Sequence, residues 1–234
     1  MKDFELKAEI ENAAIVVKDL GLIPYGEAWA LQKRLFENLV ASKRLGNGNG
    51  REYLLFAEHL PVVTLGRRAK ENNLLFPEEI MKQKGVDVQK IERGGDVTYH
   101  GPEQLVVYPI LDLDRHKLGV KDYVNLLEES VIRLLDRYGI AGERVEGATG
   151  VWIGKNTTAE RKICAIGIKC SRFCTMHGLA LNVNTDLRGF SLINPCGFTD
   201  KGVTSIEKEL GERVDLAKVK NQFSEIFLSL ILTL

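Results

Sequence analysis

The stretch RKICAIGIKCSRFCTMHGLALNVNTDLRGFSLINPCG, Arg161 to Gly197, decides how this chain is read. It opens with Lys162 inside an apolar, strand-like run and passes through Met176-His177-Gly178-Leu179-Ala180, which reads as a turn. It ends on Cys196, held between Pro195 and Gly197. A free thiol is mostly protonated near neutral pH, and a nearby ammonium stabilises the thiolate that acts as nucleophile. Proline ahead of the cysteine stiffens the backbone, and glycine behind it permits a tight turn and close approach of a substrate. The expectation is that Lys162 and Cys196 meet in space and transfer an acyl group. The ordinary alternatives are an exposed strand-edge lysine and a buried structural thiol.

Upstream lies a second informative block, RGGDVTYHGPEQLVVY, Arg93 to Tyr108. Its paired glycines sit at the mouth of a strand, where backbone N–H groups can approach a ligand, and His100-Gly101-Pro102 breaks that strand. Taken alone, the block also fits a β-bulge, an ordinary turn and a hydrogen-bonded structural histidine. Around these blocks the pattern alternates between strands and helices. A first strand is expected near Ala13–Val17, then a helix opened by Pro24-Tyr25-Gly26 and running to about Lys43. Tyr53–Glu58 and Pro61–Leu65 read as two neighbouring strands, Pro77–Lys84 as a short helix, and Val86–Ile91 as a strand. Val120–Tyr138 carries one apolar stripe and stops at Gly139, and a last amphipathic helix begins near Asp215. Short strands at Arg144–Gly147 and Gly150–Ile153 lead into the Lys162 strand. Several strands joined without intervening helices predict an α+β fold, a mixed sheet flanked by helices, with residues 1–234 as a single domain.

Composition narrows the function class. The chain of 234 residues has 32 basic and 32 acidic side chains, without the basic surplus expected of a nucleic-acid binder. No apolar run is long enough to span a bilayer, and the charged amino terminus is unlike a signal peptide, so a cytoplasmic location is expected. The spacing of Cys164, Cys170, Cys174 and Cys196 matches no zinc-binding pair, and four reduced thiols are expected, with no metal and no cofactor.

Four blocks occur in order: Arg93-Gly94-Gly95-Asp96-Val97-Thr98-Tyr99-His100-Gly101-Pro102, Lys162-Ile163 with Ala165-Ile166-Gly167, His177-Gly178-Leu179-Ala180-Leu181-Asn182, and Asn194-Pro195-Cys196-Gly197. Together they resemble the octanoyltransferases of lipoate biosynthesis. The resemblance implies the biotin/lipoate protein ligase type of fold. It also implies transfer of octanoate from octanoyl-acyl carrier protein to a lysine of lipoyl domains of 2-oxoacid dehydrogenases or of the glycine-cleavage H protein. It assigns Cys196 as the acyl-thioester nucleophile and Lys162 as the group that lowers its pKa. Arg93 to His100, Ala165 to Gly167 and Gly178 to Ala180 would line the acyl site, with His100 and His177 lining it rather than acting as bases. Backbone N–H groups near Gly95 or Gly178 are candidate oxyanion donors. Glu103 and Val107 depart from the pattern, standing where family members typically carry glycine. A monomer is expected, and Arg67, Arg68, Lys169 and Arg172 are candidates for a basic patch facing an acidic carrier protein. The rival readings are an ATP-dependent lipoate–protein ligase, which would not need Cys196, and a non-catalytic acyl- or biotin-binding module.

Overall fold

The computed structural model describes residues 15–46, 50–69, 73–194 and 202–233. Their strands form two sheets. The larger has eight strands, with β1 (Ile15–Ile23), β2 (Glu52–His59), β6 (Gln104–Ile110), β10 (Cys174–Asn182), β9 (Arg161–Ser171), β8 (Ala148–Ile153) and β7 (Glu143–Val145) in that spatial order. The eighth, β11 (Gly202–Val203), pairs parallel with the start of β9. β1 and β2 are also parallel and the other neighbours antiparallel, so the sheet is mixed. The smaller sheet places β3 (Val62–Leu65) between β4 (Asp87–Lys90) and β5 (Val97–His100).

Both faces of the larger sheet are covered. Strand residues alternate sides with a period of two, and β2 shows the consequence. Leu54 and Phe56 pack with Tyr123, Leu127 and Val131 of α3 (Val120–Asp136) and Phe223 and Phe227 of α5 (Leu216–Leu232). Leu55 and Ala57 face the opposite way, onto Ala28, Phe36 and Leu39 of α1 (Tyr25–Arg44). A strand buried on both sides reads as a continuous apolar run, which is why YLLFA carries no alternation. Asp215 starts α5 by accepting a hydrogen bond from the Ala217 N–H, and Phe227 and Ile231 bury its apolar end in the core. No helix among the described residues is long and apolar enough to cross a membrane.

Three local expectations change. Met176–Ala180 is not a turn but the middle of β10, whose nine residues are all buried. The chain reverses earlier, at Arg172 and Phe173, both in the left-handed region at φ 51° and 59°. Gly178 serves close packing instead, because a Cβ there would lie 2.2 Å from the Val107 carbonyl oxygen of β6. The strands at 52–59 and 62–65 follow one another in sequence but belong to different sheets, and β1 runs on to Ile23, well beyond Val17. The 3-10 helix Leu187–Leu192 and the short α4 (Ile206–Leu210) have no counterpart in the sequence reading.

Candidate active site

A cavity of about 460 Å³ opens between the two sheets. Strand β9 forms one side, contributing Lys162, Ala165, Ile166, Gly167 and Ile168, and β10 contributes His177, Gly178, Leu179, Ala180 and Asn182. The loop ahead of β5 supplies Arg93, Gly94, Gly95 and Asp96, followed by Val97, Thr98 and His100 from the strand itself. Of the residues expected to line an acyl site, Tyr99 alone turns away. Its ring packs edge-on to Phe190, 5.5 Å between centroids, in the core of the smaller sheet. Alternation along β5 explains this, since Thr98 and His100 take the cavity side.

The loop 93–95 is fastened across the cavity onto β9. The Gly94 N–H donates to the Ile168 carbonyl at 2.8 Å, and a Cβ at Gly167 would lie 2.7 Å from the Gly94 oxygen. The glycine at 167 is therefore what lets the loop backbone lie against the strand. Arg93 is buried, and its guanidinium donates to the Thr64 carbonyl at 2.8 Å, to the Thr64 hydroxyl and to the Gly94 carbonyl.

From Arg93 a hydrogen-bonded network runs behind the cavity wall. Gln104 Nε2 donates to the Tyr99 carbonyl and to Asn182 Oδ1, which leaves its Oε1 to accept from His100 Nδ1 at 2.8 Å. His100 Nε2 then faces the Thr64 hydroxyl. Asn182 Nδ2 continues to the Thr204 carbonyl, and the Thr204 N–H donates to the Lys162 carbonyl at 3.0 Å. Beside this network, His59 donates from Nδ1 to the Ile23 carbonyl and accepts at Nε2 from the Tyr108 hydroxyl at 2.6 Å. Tyr25 stacks on His100 at 5.8 Å and meets His59 edge-on at 5.1 Å. Burial pushes the histidines down, to about 4 for His59 and about 3 for His100, so both are neutral hydrogen-bonding groups at pH 7. His100 is thus a structural histidine that also borders the cavity.

Lys162 stands at the opposite end, on the part of β9 flanked by β8 and β11. Its Nζ lies 4.5 Å from the centre of the Trp152 ring and donates to the Thr149 carbonyl at 3.3 Å. The Trp152 face offers a site where the ammonium is stabilised without being neutralised. Trp152 is a core residue as well, its Nε1 held by the Ala148 carbonyl. Cys196, with Pro195 and Gly197, lies outside the described residues. The other thiols are unsuited to nucleophilic work: burial raises Cys164 well above its ordinary value, raises Cys170, and brings Cys174 to about 11.

Neither family departure touches the cavity. Val107 is buried in the core beneath α3 and α5. Glu103 has φ 62°, the left-handed region where glycine is the usual choice, and compensates with its side chain. It accepts from Asn184 Nδ2 at 2.7 Å and pairs with Arg213 at 3.1 Å. Tyr25, Gln104, Tyr108 and Asn182 also line the cavity, although the sequence reading gave them no role. Gln104 and Asn182 sit inside quoted blocks and could have been picked out there. Tyr25 marked only a helix start.

Comparison with known proteins agrees with this architecture. Residues 24–228 match the lipoyl protein ligase A/B catalytic domain. The chain belongs to that family. An octanoyltransferase of Bacteroides fragilis is 53% identical over 221 residues, covering 93% of this chain and 98% of that protein. One from Parabacteroides distasonis is 53% identical over 213 residues, covering 91% and 96%. Among solved structures, a bi-partite lipoate protein ligase of Thermoplasma acidophilum superposes with a TM-score of 0.69 at 18% identity, covering 95% of this chain and 85% of that one. That likeness establishes the ligase-type fold, and the sequence relatives place the chain with the octanoyltransferases of the superfamily.

Proposed function

We propose that this chain is an enzyme of protein lipoylation that moves an octanoyl group from acyl carrier protein to the lysine of a lipoyl domain through a Cys196 thioester. The observation that carries the reading is the gathering of Lys162 and three separated sequence blocks around one cavity, in a chain closely related to octanoyltransferases. The return of the chain supports it too: Val203, seven positions after Cys196 in the sequence, pairs with Lys162.

The reaction proceeds in two exchanges. Cys196, as thiolate, attacks the carbonyl carbon of the octanoyl thioester, and the carrier's sulfur departs and takes up a proton. The neutral amine of the acceptor lysine then attacks the Cys196 thioester, forming an amide, losing a proton and releasing the thiolate. Thioester to amide is downhill, so the exchange needs no ATP. Lys162 stabilises the thiolate as a cation. Arg93 to Thr98, His100, Ala165 to Gly167 and Gly178 to Ala180 hold the acyl chain. The acceptors are lipoyl domains of 2-oxoacid dehydrogenases and the glycine-cleavage H protein.

Incubation with octanoyl-carrier protein and an isolated lipoyl domain tests this reading. Transfer without ATP is expected. Transfer only when ATP and free octanoate are supplied would instead identify a ligase.

A further inference from the structure

The cavity ends at a defined level. Its lining on β9 runs from Lys162 to Ile168, and on β10 it begins at His177, which pairs with Ile168. Six residues of strand separate Lys162 from that level, about 20 Å at roughly 3.3 Å per residue. The Lys162 side chain covers part of this span. β8 runs antiparallel with Val151 opposite Cys164, so Thr149, which receives the Lys162 Nζ, lies further toward Ile168. About 14 Å remain once roughly 6 Å of lysine side chain is allowed for. An extended eight-carbon chain spans about 9 Å between its end atoms and a twelve-carbon chain about 14 Å, at roughly 1.3 Å per staggered bond, and the terminal methyl needs about 2 Å more, so twelve carbons overrun the space.

A second cavity of about 1050 Å³ is bordered by Trp29, Leu65, Leu74 and Phe76 together with charged side chains. On β9 the lining changes over between Ile168, which borders the first cavity, and Lys169, which borders the second, and their partners on β10 are His177 and Met176. Glu92, Lys169 and Lys33 border the second cavity, whereas Arg93 borders the first. His177 therefore stands at the boundary between the two spaces. It is 2% exposed, and among the described residues neither ring nitrogen has a hydrogen-bond partner. Packing alone holds it, in contrast to His59 and His100. A buried imidazole without partners is a costly way to fill a core, so its place is better explained by what it blocks.

We propose that His177 is the partition that closes the acyl site and sets the longest chain the enzyme accepts. The inference rests on the acyl-transfer reading above. Removing the ring joins the two cavities and gives a longer chain apolar wall to occupy.

The test uses carrier protein charged with acyl chains of eight, ten, twelve and fourteen carbons, with a lipoyl domain as acceptor. Wild type is expected to lose kcat/KM steeply between ten and twelve carbons. His177→Ala should raise the twelve-to-eight-carbon ratio about tenfold or more, the scale of a few methylenes gaining or losing a pocket. His177→Phe, which keeps a ring in place, should retain the wild-type profile. A wild type that transfers fourteen carbons as well as eight overturns the partition, even if His177→Ala does not fold. So does a His177→Ala enzyme with an unchanged ratio, and in both cases acyl transfer itself stands. Failure of wild type to transfer any chain overturns both.

Discussion

The two ends of the site are built differently. The wall formed by β5, β6 and the start of α1 is locked by a relay from Arg93 through Thr64, His100 and Gln104 to Asn182, with the Tyr25–His59–Tyr108 cluster beside it. At the Lys162 end, one long side chain lies over the Trp152 ring and donates to the Thr149 carbonyl at 3.3 Å. Shape is held at the wall by many mutually supporting bonds, whereas in the proposed reaction the reactivity lies at the Lys162 end. Substitutions in the wall should therefore cost stability, and those at the reactive end should cost rate.

The sharpest test of that contrast is Lys162→Ala. It should lower the transfer rate by roughly 10²–10³, through loss of thiolate at neutral pH, while leaving the denaturation midpoint nearly unchanged. Raising the pH should restore part of the rate, because hydroxide then supplies the thiolate that the ammonium no longer stabilises. A loss of rate that alkaline pH cannot relieve would remove the thiolate-stabilising role. Arg93→Ala should show a clear loss of stability. It removes the buried guanidinium that donates to the Thr64 carbonyl and hydroxyl, and urea unfolding should report a loss of about 2–4 kcal/mol.

Acid should act on the wall as well. His59, His100 and His177 are depressed by burial to about 4, 3 and 4, so below pH 6.5 the unfolded chain binds protons that the folded chain refuses. Stability is complete above pH 6.5 and falls with pH down to about 4, by up to about 1.4 kcal/mol per pH unit for each histidine. Thermal melts across that window should show the slope, and His59→Phe should flatten it. The smallest effect is expected at Glu103→Gly. Relief of the left-handed backbone offsets the lost contacts to Asn184 and Arg213, so the net change should stay within about 1 kcal/mol.

The same division explains what the sequence could reveal. The helices at 25–44, 120–136 and 216–232 were legible because each carries a one-sided apolar stripe and a recognisable start or stop. Strand partners were not legible. β2 and β3 are apolar on both faces, so nothing local says that they enter different sheets. Gly178 was misread because a glycine needed for close strand approach looks, in sequence, like one needed for turning. The glycine-rich blocks of the cavity were visible because backbone approach leaves only glycine as an option. Tyr25 and Tyr108 resemble ordinary core aromatics until the fold brings them beside His59 and His100.

The central claim, a Cys196 acyl-enzyme, is tested most directly by intact mass after mixing the protein with octanoyl-carrier protein in the absence of ATP. Wild type should gain one octanoyl group that hydroxylamine removes, and Cys196→Ser should gain no such hydroxylamine-labile group. An unmodified wild type that nonetheless modifies a lipoyl domain when ATP and free octanoate are present would contradict the account.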